Sequence, residues 1–337
     1  MDLLTFVLYS LVVFAVFLLL RKNWERFEIG DLHRKPIFIT GCDSGFGYGL
    51  AIKCIANGLP VYAGCRTEEG KKKLLTEAGL YRGKLKAFLI DVTDDKSVDD
   101  ARRLVEKEAN QFGGLHAIVN NAGIVGQSFY DDFLSMDDYR ETMEVNLFGV
   151  VRVTKAFSPL LRKTRGRIVN MASMCARLGL PGIGPYTIAK HGVSAYSDVI
   201  RQELRPWGIT VHVLEPGFFK TPLIAEDAIK AQLQRVWDRC SEETRQEYGR
   251  EFFEKGSEVT NRMVAMVASS NVQWVIDTYF HAITARFPRK RYQIGWDHIF
   301  FFLPISILPA AISDKIFELF ELFFGAPIPK AVQEGKY

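Results

Sequence analysis

The 337 residues predict an α/β fold, a single domain built on a doubly wound parallel sheet, and three observations carry that expectation. Short apolar segments of strand length recur along the chain (IFIT, LPVYAGC, KAFLIDV, LHAIVNNAG, GRIVNMAS, ITVHVLEPG and RYQIG). Charged helical stretches fall between them, as helices covering the faces of a parallel sheet require. A glycine-rich turn stands between the first strand and the first helix. The composition, 48% hydrophobic and 24% charged, suits a globular core. A net charge of +4 and one short basic run, Arg286–Arg291, do not make a nucleic-acid surface. The five cysteines (Cys42, Cys54, Cys65, Cys175, Cys240) are odd in number and form no C-x-x-C pair, so they read as reduced thiols with neither a zinc site nor a disulfide framework.

Ahead of the first strand, Leu3 to Leu20 is an uncharged run of 18 residues. As a helix it reaches about 27 Å, close to the thickness of a bilayer's hydrocarbon core. Asp2 precedes the run, Arg21 and Lys22 follow it, and no small-residue cleavage site is present, which favours an uncleaved membrane anchor over 1–22 above a signal peptide or core helix. Arg21, Lys22, Arg26, Arg34 and Lys35 on its C-terminal side put the body in the cytosol by the positive-inside rule.

Pro36 opens the strand IFIT, and the turn TGCDSGFG then enters a helix predicted over Tyr48 to Asn57. Gly41, Gly45 and Gly47 allow a tight turn and close backbone approach, and a helix N-terminus attracts a pyrophosphate, so this strand-turn-helix points to a dinucleotide site. The second strand ends at Cys65–Arg66–Thr67. A basic Arg66 there leans towards a ribose 2′-phosphate and hence NADP(H). Arg66 facing solvent or stacking on an adenine is the alternative, and the glycine loop, with Asp43 and Ser44 and no basic residue, weakens the case for NADP, so NAD stays open. Next come the strand ending at Asp91–Val92, a charged helix from about Lys96 to Phe112, the strand ending in Asn120–Asn121–Ala122–Gly123, and a long helix over Asp137 to Lys155 containing Asn146.

GRIVNMAS ends at Ser173, and a loop rich in glycine and proline leads into a helix from Tyr186 to about Trp207. Tyr186 and Lys190 lie four residues apart and so share a helix face. A phenol, with an ordinary pKa of about 10, is a poor base at neutral pH. A fixed cation beside it favours the phenolate, which suits proton exchange with an alcohol. The order of strands and helices places Ser173 and Tyr186 at the carboxyl ends of the sheet, where open α/β sheets bind ligands. His212 alternates within a strand and His191 reads as structural.

These residues, T-G-x-x-x-G-x-G, Asp91, N-N-A-G, Asn146, Ser173 with Y-x-x-x-K, and Pro216–Gly217, resemble the short-chain dehydrogenase/reductase family from about Lys35 to Thr221, in the family's order and with its Rossmann-like fold. TGCDSGFG, NNAG, EPGFFKT and the N-terminal run most resemble its retinol and hydroxysteroid dehydrogenase branch. The resemblance implies a catalytic set of Tyr186, Lys190, Ser173 and Asn146, with Asn146 holding a relay water. It implies an NAD(P)(H) site made by Thr40, Gly41, Ser44, Gly45, Phe46, Gly47, Arg66, Asp91, Val92, Asn120, Ala122, Gly123, Tyr186, Lys190, Pro216, Gly217 and Thr221, with Asp91 at the adenine and Thr221 at the nicotinamide carboxamide. It further implies a lipophilic retinoid or hydroxysteroid substrate, pairing of two copies through long helices, and the membrane of the endoplasmic reticulum ahead of a mitochondrial one. The second enzyme reading is a small hydroxy-acid dehydrogenase of the 3-hydroxybutyrate type. A catalytically silent binding scaffold would have lost Ser173, Tyr186 or Lys190, and all three are present.

Towards the C-terminus, Ile224 to Lys255 is helical, with Trp237, Phe252 and Phe253 as inward contacts, and the resemblance makes about 218–256 a cap over the substrate. Asn271 to Thr284 reads as another helix. The domain so defined runs from 35 to 295, and 296–337 is a hydrophobic extension. Its longest uncharged part, Ile299 to Ser313, is short and broken by Pro304 and Pro309. The expectation is therefore a segment dipping into lipid at a substrate entrance rather than a second span, with a dimer surface or a core cover as the alternative.

Overall fold

Ile37 and Ile39 pack into one hydrophobic cluster and Phe38, between them, into another. That is the two-residue period of a strand covered on both faces. The computed structural model describes residues 3–79 and 85–336. Its strands are β1 (Ile37–Thr40), β2 (Val61–Cys65), β3 (Leu85–Leu89), β4 (Ala117–Asn120), β5 (Arg167–Met171), β6 (Thr210–Pro216) and β7 (Arg291–Ile294). They form one seven-stranded sheet in the order β3-β2-β1-β4-β5-β6-β7, every neighbouring pair parallel. The chain reverses its direction of winding between β1 and β4, which opens a crevice at their carboxyl ends.

The helices are α1 (Leu3–Trp24), α2 (Gly45–Ala56), α3 (Glu68–Ala78), α4 (Asp95–Ala109), α5 (Met136–Met143), α6 (Gly149–Arg162), α7 (Gly184–Glu203), α8 (Glu226–Arg239), α9 (Glu242–Tyr248), α10 (Arg250–Val267), α11 (Gln273–Thr284), α12 (Leu303–Ser306) and α13 (Ala310–Phe324). Leu50 and Cys54 of α2 and Tyr279 and Ile283 of α11 meet Ile37 and Ile39 on one face. Val105 of α4, Phe157 and Leu160 of α6 and Ile200 of α7 meet Phe38 on the other, where the Phe38 and Phe157 rings stack at 4.3 Å. All five cysteines are buried and free.

Four helical stretches differ from their predicted bounds, and one of them, Ile224 to Lys255, is the three helices α8, α9 and α10, the last running on to Val267. α2 starts at Gly45 rather than Tyr48, because Gly45 itself takes a left-handed φ of +62° and turns the chain into the helix. The helix predicted over Asp137 to Lys155 is α5 and α6 joined by a π-helical turn, Glu144–Phe148, with Asn146 buried at its centre. α7 stops at Glu203 and a 3₁₀ turn, Arg205–Trp207, closes at Gly208 (φ +70°).

Beyond the sheet, α8 and α10 clasp a cluster of Phe129, Phe133, Leu233, Val236, Trp237, Phe252 and Phe253, so the three aromatic residues expected to face inward do so. α1 is joined to the body through Glu25, which pairs with Arg289, and through the Trp24 and Phe287 rings, 6.2 Å apart. Described side chains of α1 from Phe6 to Leu20 are largely exposed. Among the described residues no helix is long and apolar enough to cross a membrane. Residues 1–2 of the anchor expected over 1–22, and the side chains at Leu3, Leu4, Val7, Leu11, Phe14, Leu18 and Lys22, lie outside them.

Candidate active site

A cavity of about 530 Å³ runs along the carboxyl ends of the strands and is walled by the turn after β1, the ends of β2 to β6, and the cap helices α8 and α10. At one end the chain turns through Gly41 (φ +70°) and Gly45 (φ +62°), a left-handed region that side-chain-bearing residues enter at a cost of about 1 kcal/mol. A Cβ on Gly45 would meet nothing within 4 Å, so this turn presents backbone to the cavity. Gly47 does a different job: a Cβ there would lie 2.3 Å from the Gly41 carbonyl oxygen, so only glycine lets α2 sit against the turn.

Asp43 carries a role the sequence did not disclose. Its carboxylate accepts the backbone N–H groups of Arg66 (2.8 Å) and Thr67 (2.8 Å) and the Thr67 hydroxyl (2.9 Å), tying the glycine turn to the end of β2. The exposed Arg66 guanidinium pairs with Asp91 at 3.0 Å. Hydrogen bonds from Thr93, aided by Arg66, hold the Asp91 carboxyl below its ordinary value although partial burial opposes them. Arg66 thus meets two carboxylates at this corner, Asp91 through its guanidinium and Asp43 through its backbone N–H.

The end of β4 is fixed by its own polar groups. Asn120 donates to Thr154 (2.9 Å) and Asn170 (2.8 Å), and Asn121 donates to the carbonyls of Thr40 and Gly41 (3.0 Å each). The Thr40 hydroxyl accepts the N–H groups of Asn121 and Ala122 at 3.1 Å. Thr40, Gly47 and Asn120 therefore stand behind the cavity wall and shape it, whereas Gly41, Ser44, Gly45, Phe46, Arg66, Asp91, Val92, Ala122, Gly123, Pro216, Gly217 and Thr221 line it, with Asn121 added. Asn146 also lies behind the wall. Its amide exchanges two hydrogen bonds with the Ile124 backbone, accepting at 2.8 Å and donating at 2.7 Å. A Cβ on Gly123 would come within 3.0 Å of Asn146 Oδ1 and 3.7 Å of Lys190 Nζ, so these three residues meet at one point.

Ser173, at the end of β5, and Tyr186 and Lys190, on the first turns of α7, line the middle of the cavity. Lys190 donates to the Met171 carbonyl at 2.9 Å, with its ammonium 5.4 Å from the centroid of the Tyr186 ring. The Ser173 hydroxyl accepts from the Cys175 N–H at 3.2 Å. Burial raises the Tyr186 phenol well above its ordinary value, the neighbouring Cys175 adds to the rise, and the Ser173 hydroxyl opposes it. Burial brings Lys190 down to about 8. The sequence predicts a phenol lowered by its lysine; burial outweighs that attraction here, and the ammonium is turned to a carbonyl. His191 bonds back to the Thr187 carbonyl on the surface, and His212 is buried between Arg289 and Thr210 at a pKa of about 4, so neither reaches the cavity.

Past Tyr186 the wall turns apolar, through Val125, Ile183, Phe218, Leu223, Ile229 and Val264. Another residue invisible to the sequence supports this end: half-buried Asp297 accepts the Phe218 N–H at 2.7 Å and sits where any side chain on Gly217 would go. It follows the last strand with no motif around it, and only the fold brings it beside Pro216–Gly217.

The sequence profile described as short chain dehydrogenase matches residues 35–232. A 3beta-hydroxysteroid dehydrogenase of Caenorhabditis elegans is 41% identical over 96% of this chain and 84% of its own length. Retinol dehydrogenase 7 of Rattus norvegicus is 38% identical over 92% of this chain and 96% of its own. Among solved structures, a short chain dehydrogenase/reductase of Burkholderia phymatum in complex with NAD is 23% identical, with a TM-score of 0.66 over 83% of this chain and 94% of that one.

Proposed function

The chain belongs to the short-chain dehydrogenase family and is an oxidoreductase of CH–OH groups; from that premise we propose that it interconverts an alcohol and its ketone or aldehyde on a lipophilic substrate, a hydroxysteroid or retinoid, with Tyr186 as the general acid and base. The observation that carries this reading is the meeting of Ser173, Tyr186 and Lys190 midway along a cavity whose far half is apolar.

The residues at the near half fit a nicotinamide dinucleotide. The backbone-lined turn at Gly45 has room for a pyrophosphate, and Gly123 leaves free the space a side chain would fill. Such a group, when bound, accepts or supplies the hydride. In this reading Gly41, Ser44, Gly45 and Phe46 hold the phosphates, Asp91 and Val92 the adenine, and Pro216, Gly217 and Thr221 the nicotinamide end. The corner of Arg66, Asp43 and Asp91 carries more negative than positive charge, which favours NAD over the NADP that Arg66 alone suggests.

In reduction, the Ser173 hydroxyl binds the substrate oxygen and the Tyr186 phenol gives it a proton; in oxidation Tyr186 first passes its own proton to the relay water, and its phenolate then takes the proton of the alcohol. Lys190 supplies positive charge beside the phenol, and Asn146, braced on Ile124, places a relay water near Lys190. Among the described residues, Arg66 is the only arginine on the cavity wall, and no histidine lies there. A small hydroxy acid would lack a cation near Tyr186 other than Lys190, so the lipophilic reading is preferred.

The ends of the chain support the same class of substrate. We propose that residues 1–22 anchor the protein in a membrane, that of the endoplasmic reticulum, with the body in the cytosol, and that 296–337 dips into the same surface. Exposed Trp296, Phe300, Ile307, Leu319, Leu322 and Phe323 support the second contact. Exposed Phe148 just before α6, with Ile188 and Val199 of α7, supports pairing of two copies. The deciding experiment screens hydroxysteroids and retinoids with NAD and NADP, using wild type and Tyr186→Phe. Turnover should fall about 10³-fold in the variant while dinucleotide binding is kept; full turnover by Tyr186→Phe would overturn the mechanism.

A further inference from the structure

Glu215 of β6 is a fully buried carboxylate standing just before Pro216 and Gly217 of the cavity wall. Arg177 Nε donates to its Oε1 at 3.0 Å, and Arg291 Nη1 of β7 donates to the same oxygen at 2.6 Å. Gln293, also of β7, donates to Oε2 at 3.2 Å. Arg291 carries the contact on to α7, donating to Ser194 Oγ at 2.8 Å and pairing with Asp198. Arg177 closes the 3₁₀ turn Met174–Ala176, which begins at Ser173. One carboxylate thus joins the loop of Ser173, the helix of Tyr186 and Lys190, and the strand end at Pro216.

The sheet does not need this charge cluster. β5 and β6 already pair from Arg167↔Thr210 to Met171↔Leu214, and β6 and β7 from Val213↔Arg291 to Pro216↔Ile294. A buried ion pair loses hydration comparable to the attraction it gains, so apolar side chains of like volume serve stability as well. What a fully hydrogen-bonded cluster supplies is fixed geometry. Past the end of β5, the turn holds itself by the Ala176 N–H to the Ser173 carbonyl (3.0 Å) and the Arg177 N–H to the Met174 carbonyl (2.9 Å). Met174 and Cys175 also pack on Phe302, a contact without directional preference. Ser173 Oγ takes its direction from the Cys175 N–H of this turn, at 3.2 Å. The turn therefore aims the hydroxyl, and the Arg177–Glu215 pair fixes the far end of the turn.

We infer that Arg177, held by Glu215, is a positioning residue for the reaction, fixing the turn that aims the Ser173 hydroxyl at the substrate oxygen. Neither side chain lines the cavity, so both act through Ser173. This rests on the proposed dehydrogenase mechanism and deepens it. Arg291 keeps the Glu215 carboxylate paired when Arg177 is replaced, so the link to the Ser173 turn can be cut without leaving a buried charge alone.

The test compares wild type, Arg177→Met, Ser173→Ala and the double variant as full-length protein in detergent, with NAD and whichever 3-hydroxysteroid or retinol wild type turns over fastest. Arg177→Met should lower kcat about tenfold while the dinucleotide Kd stays within about twofold, which also reports an intact fold. Arg177→Lys, whose ammonium can still meet Glu215, should recover most of the loss. In the Ser173→Ala background, Arg177→Met should cost less than about twofold, because a residue acting through Ser173 has nothing left to position. Unchanged kcat in Arg177→Met, an equal loss in both backgrounds, or a loss that Arg177→Lys does not recover overturns the inference and leaves the Tyr186 mechanism standing. Wild-type kcat in Ser173→Ala, or no turnover of any hydroxysteroid or retinoid by wild type, overturns the mechanism with it.

Discussion

Lys190 shows how one residue can serve a site at a cost to the fold. Its ammonium is buried with a single carbonyl partner and its pKa falls from an ordinary 10.5 to about 8. A lysine whose folded pKa lies below its unfolded one makes folding less favourable while both states are charged, below about pH 8. That burden is lifted as pH rises from 8 to 10.5, where the unfolded chain holds the extra proton. The shift corresponds to about 3 kcal/mol. The stability of Lys190→Met relative to wild type should thus be highest at pH 7 and fall by up to about 3 kcal/mol at pH 10.5, read from denaturant unfolding at both pH values. A difference that does not change with pH would show that the ammonium is solvated. Tyr186 and Lys190 were legible in the sequence because four-residue spacing on a helix makes their meeting a local matter. Their protonation was not, because it depends on how much of α7 the cap and β5 bury.

At the scale of elements, the site is assembled where secondary structure departs from regularity. Asn146 sits in a π-helical turn between α5 and α6, and the Ile124 backbone that it pairs with belongs to the loop after β4. The sequence shows a helix there but not its break, since the break answers to a loop 22 residues away. The turn after β6 is likewise held from afar, by Asp297 at the start of the C-terminal extension. Removing that acceptor leaves the Phe218 N–H unpaired, worth about 1–3 kcal/mol where it is buried. Asp297→Ala should therefore lower the unfolding free energy by that amount and raise the KM for dinucleotide several-fold. Asp297→Asn, which keeps an acceptor oxygen, should retain most of both. If Asp297→Ala left KM unchanged, the extension would be only an attachment to the sheet edge and not a support for the nicotinamide end.

For the whole molecule, the arrangement of exposed apolar surface is the informative feature. Large hydrophobic side chains are exposed along α1 and again from Trp296 to Phe323, at the two ends of a chain whose body is otherwise conventionally packed. Exposure of this kind, concentrated in patches, marks an interaction surface. Full-length protein should stay with membranes through an alkaline carbonate wash, whereas a protein lacking residues 1–22 should associate at neutral pH and come off in carbonate. Carbonate resistance of the shortened protein would instead assign the stable anchor to 296–337.

By itself the sequence determined the alternation of strands and helices, the turn at Gly41 to Gly47, the order of the motifs and the Ser173, Tyr186, Lys190 set. Strand and helix periodicity, glycine's access to positive φ, and side chains four residues apart sharing a face account for the elements, the turn and the Tyr186–Lys190 pair, while Ser173 and the order of the motifs come from the family resemblance. Only the tertiary structure decided that Thr40, Gly47, Asn120 and Asn146 stand behind the wall. It likewise brought Asp43 to brace the end of β2 and Asp297 to brace the turn after β6. Those facts come from contacts between residues as much as 82 positions apart, whose geometry is set by packing two layers of helices on the sheet, and no local pattern in the chain encodes them.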